Sequence, residues 1–170
     1  MTISVGKAQP SVTRIAARLA FATALALLLF SFESWAEVYR SGISFNGFQA
    51  LDQHDRPFTF KPGDANFIIF DTPGLSGPSA APQDSAWFDK HHALLIVNIS
   101  DLSYFKRKVA RSRLQSKPFR SLVLADKDTA SRFPRQDGKL TVLLVNAEGT
   151  ITDIRYAAGG KELQTLLSDK

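Results

Sequence analysis

The fold of this 170-residue chain is decided by residues 66–71, which read NFIIFD. Four consecutive apolar residues indicate a strand that is covered on both faces, as in a parallel sheet. A second run of this kind, LLIVNI, spans residues 94–99, and further apolar runs occupy residues 121–125 and 140–145. Because segments with helical spacing separate these strands, we predict an α/β protein built around a parallel sheet.

The segments between the strands give the helices. One helix is predicted over residues 85–92, and a second follows Ser100 or Asp101, either of which suits the N-cap position. The buried face of this second helix is predicted to consist of Leu102, Phe105, Val109 and Leu114. A turn at Gly149, which is free to adopt a positive φ, closes an antiparallel hairpin, and a last helix covers residues 161–168.

The first 36 residues have the order of a secretory signal peptide. Lys7, Arg14 and Arg18 form a positive segment, an apolar run covers residues 19–32, and small residues stand at 34 and 36. The apolar run is shorter than the roughly 20 residues that span a bilayer. We therefore expect cleavage after Ala36, no stable transmembrane segment afterwards, and a periplasmic or secreted protein; an uncleaved membrane anchor is the alternative.

The remaining residues, 37–170, are long enough for a single domain. They carry 18 Lys and Arg against 15 Asp and Glu, a net charge of +3 that by itself favours no class of partner. The whole chain has no cysteine. Because the thiolate is the reacting species, thiol–disulfide exchange and thiol peroxidase activity are excluded, and the domain must be held together by its core.

Four stretches, in their order and spacing, resemble the thioredoxin-like superfamily, and best its peroxiredoxin-like and thiol-reductase branch. They are residues 48–60 (FQALDQHDRPFTF), 66–71, 140–151 (LTVLLVNAEGTI) and 159–167 (GGKELQTLL). The resemblance implies a three-layer sandwich with a central mixed sheet flanked by helices. It also implies an N-terminal hairpin over residues 48–60. The sequence has neither a G-x-G-x-x-G motif nor a Walker loop, so no cofactor is expected.

This chain departs from the family at the redox site. The corresponding loop holds Ser76-Gly77-Pro78-Ser79 where the family has a Cys-Gly-Pro-Cys motif, although a chance match in a loop rich in Ser, Gly and Pro is the alternative. Leu140 stands near the position of the family's cis-proline. The resemblance therefore implies the fold without the redox reaction, and no catalytic residue is assigned. The candidate binding residues at this edge are Asp71, Ser76, Gly77, Pro78, Ser79 and Leu140.

The second candidate binding surface is a basic helix. Seven Lys or Arg and no Asp or Glu lie between residues 102 and 125, and the helix itself contributes Lys106, Arg107, Lys108, Arg111 and Arg113. One interpretation is a docking face for an anionic surface or an acidic envelope protein. The other is a solvated face that aids solubility. Nucleic acid is a poor candidate because export separates the domain from it and no pattern of stacking aromatic residues accompanies the charges.

Other chemistries find little support. His54, His91 and His92 lack the spacing of metal ligands, so no metal site is expected. A non-thiol enzyme built on Asp71, Ser76 and Ser79 remains an alternative, although the G-x-S-x-G pattern of hydrolases is absent. We therefore expect an exported, redox-inactive, thioredoxin-like binding or accessory module of the cell envelope.

Overall fold

The structure is a computed structural model, and residues 37–73 and 84–168 are described here. The strands are β1 (Gln49–Asp52), β2 (Pro57–Thr59), β3 (Phe67–Asp71), β4 (Ala93–Asn98), β5 (Ser121–Leu124), β6 (Leu140–Val145) and β7 (Ile151–Ala157). The helices are α1 (Ser85–His91), α2 (Tyr104–Gln115), α3 (Lys127–Ser131) and α4 (Gly160–Ser168). The predicted signal peptide and the Ser76-Gly77-Pro78-Ser79 stretch lie outside the described residues.

The strands form one mixed sheet in the order β2-β1-β5-β4-β3-β6-β7. β3, β4 and β5 are parallel, whereas β6 pairs antiparallel with both β3 and β7. β1 and β2 form the antiparallel hairpin that the resemblance implies over residues 48–60. The predicted α/β architecture is confirmed, and the described residues between 37 and 168 belong to one compact unit.

β3 shows why the continuous apolar run decides the fold. All five of its residues are buried, and their side chains alternate between the two faces of the sheet. Ile68 and Phe70 belong to one hydrophobic cluster, whereas Phe67 and Ile69 belong to the other. A strand between two cores needs apolar residues on both of its faces, whereas a strand with one solvent-exposed face needs them on one face only.

The two clusters define the outer layers of the sandwich. α1, α2 and α4 cover one face through Phe88, Leu114 and Leu163, together with half-buried neighbours. α3 covers part of the other face, with the segment from Tyr39 to Phe60 beside it. The prediction of a central mixed sheet flanked by helices is therefore confirmed.

An aromatic cluster fills the face that α3 covers. Phe133 is 2% exposed and stacks on Phe70, with 4.3 Å between ring centroids and 4° between ring planes. Tyr39 and Phe48 meet Phe133 edge to face, at centroid distances of 4.9 and 5.9 Å. Phe45 also meets Phe133 edge to face, with 6.1 Å between the ring centroids. Phe133 is thus the common contact between the N-terminal segment and the central strand β3.

The turn between β1 and β2 is held by a buried carboxylate. Asp52 accepts hydrogen bonds from the backbone N–H groups of His54 (2.8 Å) and Arg56 (3.0 Å), and from Arg56 Nε (2.8 Å). Burial raises the pKa of Asp52, but these hydrogen bonds and the charge of Arg56 outweigh it and leave the pKa below its ordinary value. The charged form of Asp52 therefore stabilises this turn.

The orientation of α2 corrects two predictions. The helix starts at Tyr104 after Ser103, not after Ser100 or Asp101, so Leu102 precedes it and does not fix which face is buried. Phe105 is 74% exposed and Val109 36%, although the sequence predicts both on the buried face. Phe105 and Leu114 are nine residues apart, and about 100° of rotation per residue places them on opposite sides of a helix. Leu114 packs against the core, so Phe105 faces outward.

Candidate functional site

The carboxyl edge of the parallel strands is the first of the two predicted binding surfaces. Asp71 ends β3 at this edge and lies opposite Val97 of β4 in the parallel register. Asp71 and the following Thr72 are each 9% exposed, and each has an interaction partner. The side chain of Asp71 is therefore nearly buried among the described residues. That Asp71 lies close to residues 76–79 stays a prediction.

Leu140 is the other predicted binding residue near this edge. It is the first residue of β6, pairs with Ala157 of β7 and is fully buried. Its side chain is part of the core that α1, α2 and α4 cover, which closes it to a ligand. Within the described ranges no peptide bond is cis, so the backbone before Leu140 lacks the cis-proline geometry of the family. The exposed groups at this position belong to the preceding turn, residues 135–139.

Sequence reasoning missed two buried polar residues at the same edge. Asn98 ends β4, and its Oδ1 accepts a hydrogen bond from the backbone N–H of Ser100 at 2.9 Å. Both residues are 1% exposed, and within the described residues Asn98 Nδ2 and Ser100 Oγ have no hydrogen-bond partner. The signal in the sequence is an asparagine that interrupts the apolar run of residues 94–99. Its Oδ1 contact turns the chain from β4 towards α2.

The histidines do not gather into a metal centre. His91 is the last residue of α1, and His92 is its C-cap, with a left-handed backbone (φ 48°) and an N–H that donates to Asp89 O. The described residues contain no group of three or more His, Asp or Glu side chains that could hold a metal ion. His92 therefore ends a helix, which is the structural role that adjacent histidines at this position suggest.

The basic helix α2 is the second predicted binding surface, and two of its five predicted residues serve the fold. Arg107 donates from Nε to the carbonyl of Leu102 at 2.8 Å and from its Nη2 to the carbonyl of Ser100. Arg111 forms an ion pair with Asp55 in the β1–β2 turn. These contacts fasten α2 to the loop before it and to the N-terminal hairpin. Arg107 and Arg111 therefore present little free charge to a partner.

The other three predicted cations are free. Lys106, Lys108 and Arg113 are exposed, and their side chains make no hydrogen bond or ion pair with any residue in the described ranges. The helix has no acidic residue to neutralise them. Three of the seven Lys and Arg between residues 102 and 125 therefore form a group of positive charges on α2 that are unpaired within the described residues.

Large apolar side chains share this exposed surface, which the sequence does not predict. Tyr104 is 85% exposed, Phe105 74% and Val109 36%. Phe105 and Val109 line a shallow groove together with Lys108, Ser112 and Arg113. We call this surface the α2 face; it comprises Tyr104, Phe105, Lys106, Lys108, Val109, Ser112 and Arg113. On the α2 face, exposed apolar side chains therefore lie beside cations that are unpaired within the described residues.

The sequence matches no protein-family profile and no curated protein. Solved structures do share the fold. Peroxidoxin BcpB from Mycobacterium tuberculosis is 16% identical with a TM-score of 0.51, and covers 76% of this chain and 94% of its own. The thiol peroxidase from Chromobacterium violaceum is 15% identical with a TM-score of 0.51, and covers 78% of this chain and 88% of its own.

The fold of this chain is therefore thioredoxin-like, as the resemblance implies. At such low identity the likeness defines the fold and leaves the activity to be argued from the site. The two neighbours are named for peroxidase chemistry, whereas this chain has no cysteine. None of the helices in residues 37–73 and 84–168 is long and apolar enough to cross a membrane.

Proposed function

We propose that this protein is an exported, redox-inactive thioredoxin-like domain that acts by binding a component of the cell envelope. One observation carries the proposal: a fold shared with thiol enzymes occurs in a chain without a single cysteine. Thiol–disulfide and peroxidase reactions both begin with a thiolate, so neither is open to this chain. Binding is the activity that such a domain retains when the reacting group is gone.

The two predicted binding surfaces differ in what they offer. In the described residues, the carboxyl edge presents Asp71 and Thr72, which are nearly buried and already partnered. The α2 face presents three unpaired cations and three exposed apolar side chains. A partner gains the most binding free energy from charges that are uncompensated and from apolar surface that is exposed to solvent. The α2 face is therefore the stronger candidate binding surface.

Export to the envelope supports the same function. The order of positive segment, apolar run and small residues in the first 36 positions is that of a cleaved signal peptide. A periplasmic or secreted domain without cysteine also needs no oxidising environment to fold, because no disulfide has to form. Envelope proteins and lipids are then the components within its reach.

Site-specific photo-cross-linking in intact cells tests the proposal. A photoreactive amino acid replaces Lys106 on the α2 face, and the matched control replaces Lys161, an exposed lysine on α4. We expect a discrete adduct with an envelope component from position 106 and none from position 161. An absence of adducts from both positions, or identical adducts from both, contradicts binding through the α2 face.

A non-thiol enzyme at Asp71 is the second candidate. It is favoured by the placement of Asp71 at the carboxyl end of the parallel strands, where ligands of open α/β sheets bind. Asp71→Ala separates the two candidates in a strain whose phenotype depends on this protein. Loss of the phenotype with the position-106 adduct retained supports an enzyme, whereas an unchanged phenotype eliminates it.

A further inference from the structure

The α2 face has the arrangement of an interfacial helix. At about 100° per residue, Phe105, Val109 and Ser112 lie within about 60° of one another, along the line of the helix farthest from the core. Lys108 flanks this line on one side, whereas Lys106 and Arg113 flank it on the other. Two exposed apolar side chains, Phe105 and Val109, with cations on both sides follow the pattern of helices that lie in the headgroup region of a membrane.

Neighbouring acidic groups do not compensate these cations. Asp55 is paired with Arg111, on the opposite side of the helix. Asp101, just before the helix, lies 3.2 Å from Arg135 Nη1 and 3.8 Å from Lys127 Nζ. Both of these acids are thus paired with other cations. Within the described residues, Lys106, Lys108 and Arg113 are left unpaired and available to an external anion.

We infer that α2 docks the domain on an anionic phospholipid surface, with Tyr104 and Phe105 in the headgroup region and the three free cations against lipid phosphates. The inference rests on the proposed export to the envelope and names the partner of the same α2 face. Aromatic side chains are favoured at membrane interfaces, and each lysine or arginine near an anionic surface strengthens binding about fivefold. A bilayer adapts to the shape of an exposed helix face, whereas a protein partner needs a groove that matches it. The exposed side chains of α2 therefore favour a lipid surface.

Vesicle co-sedimentation tests the inference with the chain from Glu37 to Lys170, which contains every described strand and helix. The vesicles are phosphatidylglycerol and phosphatidylcholine in equal parts, or phosphatidylcholine alone. We expect binding only to the anionic vesicles, and weaker binding as the salt concentration rises. Combined K106E, K108E and R113E substitutions are expected to lower the affinity at least about 100-fold.

A matched variant controls for net charge. Lys61, Lys139 and Lys161 are exposed, lie off α2, and their side chains make no hydrogen bond or ion pair with other described residues. Replacing all three with glutamate changes the net charge by the same amount, and we expect at most a twofold effect on binding.

A second variant tests the aromatic side chains. Combined Y104S and F105S substitutions are expected to weaken binding about tenfold while leaving the salt dependence as in the wild type.

The outcomes separate this inference from the proposed function. Equal loss of binding in the two charge variants, or equal binding to neutral and anionic vesicles, overturns the lipid assignment. If vesicles are not bound but position 106 still forms a discrete protein adduct in cells, the lipid inference fails and the proposed function stands. If neither vesicles nor adducts are observed, both fail. Circular dichroism of each variant checks that the fold is intact.

Discussion

Replacing Phe133 with alanine tests whether the aromatic cluster holds the N-terminal segment on the sheet. Phe133 is the first residue after the turn that follows α3, and it is almost completely buried. It stacks on Phe70 of β3 and meets Tyr39 and Phe48 of the N-terminal segment edge to face. Alanine leaves a space that these neighbours line on all sides, so the segment loses its shared contact with β3.

The size of the effect follows from burial and from the ring contacts. Truncating a fully buried phenylalanine to alanine costs about 3–5 kcal/mol, because lost transfer free energy and the remaining cavity add. Each aromatic pair adds about 0.5–1.5 kcal/mol beyond area burial, which favours the upper half of that range. For a domain of this size, each kcal/mol lowers Tm by about 3–4 °C, so we expect a decrease of about 12–20 °C.

Urea unfolding monitored by tryptophan fluorescence measures the change, since Trp87 is the one tryptophan after residue 36. Phe105→Ala is the matched control, because it makes the same substitution at a side chain that is 74% exposed. We expect the control to change the free energy of unfolding by less than about 0.5 kcal/mol. The assignment of Phe133 to the core and of Phe105 to the surface would be refuted in either of two cases. Phe133→Ala could lower the free energy of unfolding by less than about 1 kcal/mol, or Phe105→Ala could lower it by as much as Phe133→Ala does.

Three further predictions concern a turn, a pH dependence and export. Gly149→Ala should cost about 1–3 kcal/mol, because φ is +79° and a Cβ would lie 1.8 Å from Asn46 Oδ1; Gly159→Ala, which meets nothing within 4 Å, should be neutral in the same urea titration. The pKa of Asp52 is lower in the folded chain than its unfolded value of about 4, so the charged carboxylate stabilises the fold above that pH. This stability is lost as the pH falls through the folded pKa. Asp52→Asn should therefore flatten the loss of stability as the pH falls below about 4, and an unchanged pH profile would contradict this role. Mass spectrometry of the exported protein should find Glu37 at the N-terminus; a chain that retains residues 1–36 would favour the membrane anchor.

Local patterns were sufficient for most of the fold. Residues 66–71 and 94–99 are apolar at nearly every position, and only a strand with two covered faces uses such a run. The hairpin at Gly149 was predictable because the turn requires a residue that tolerates positive φ. The resemblance added the hairpin over residues 48–60, whose mixed pattern by itself indicates only an early strand.

The charges of the candidate site could be predicted from the sequence, whereas the partners of those charges could not. The run of cations without acids is visible in the sequence, but the separation of Arg107 and Arg111 from the other three is not. That separation depends on the carbonyl of Ser100 and the carboxylate of Asp55, which only the folded chain brings to the helix. Leu140 shows the same limit, because its burial depends on helices distant from it in the sequence.

The sequence alone determined that this is an α/β protein with a parallel core. It also determined that the chain has no thiol for the reactions of the thiol enzymes that share its fold. Both follow from what each residue is and from its immediate neighbours. The tertiary structure alone decided that Phe105 faces outward and that Lys106, Lys108 and Arg113 stay unpaired within the described residues. The apolar residues of α2 are too few to define one buried face, so the helix is oriented by Leu114 in the core and by the partners of Arg107 and Arg111.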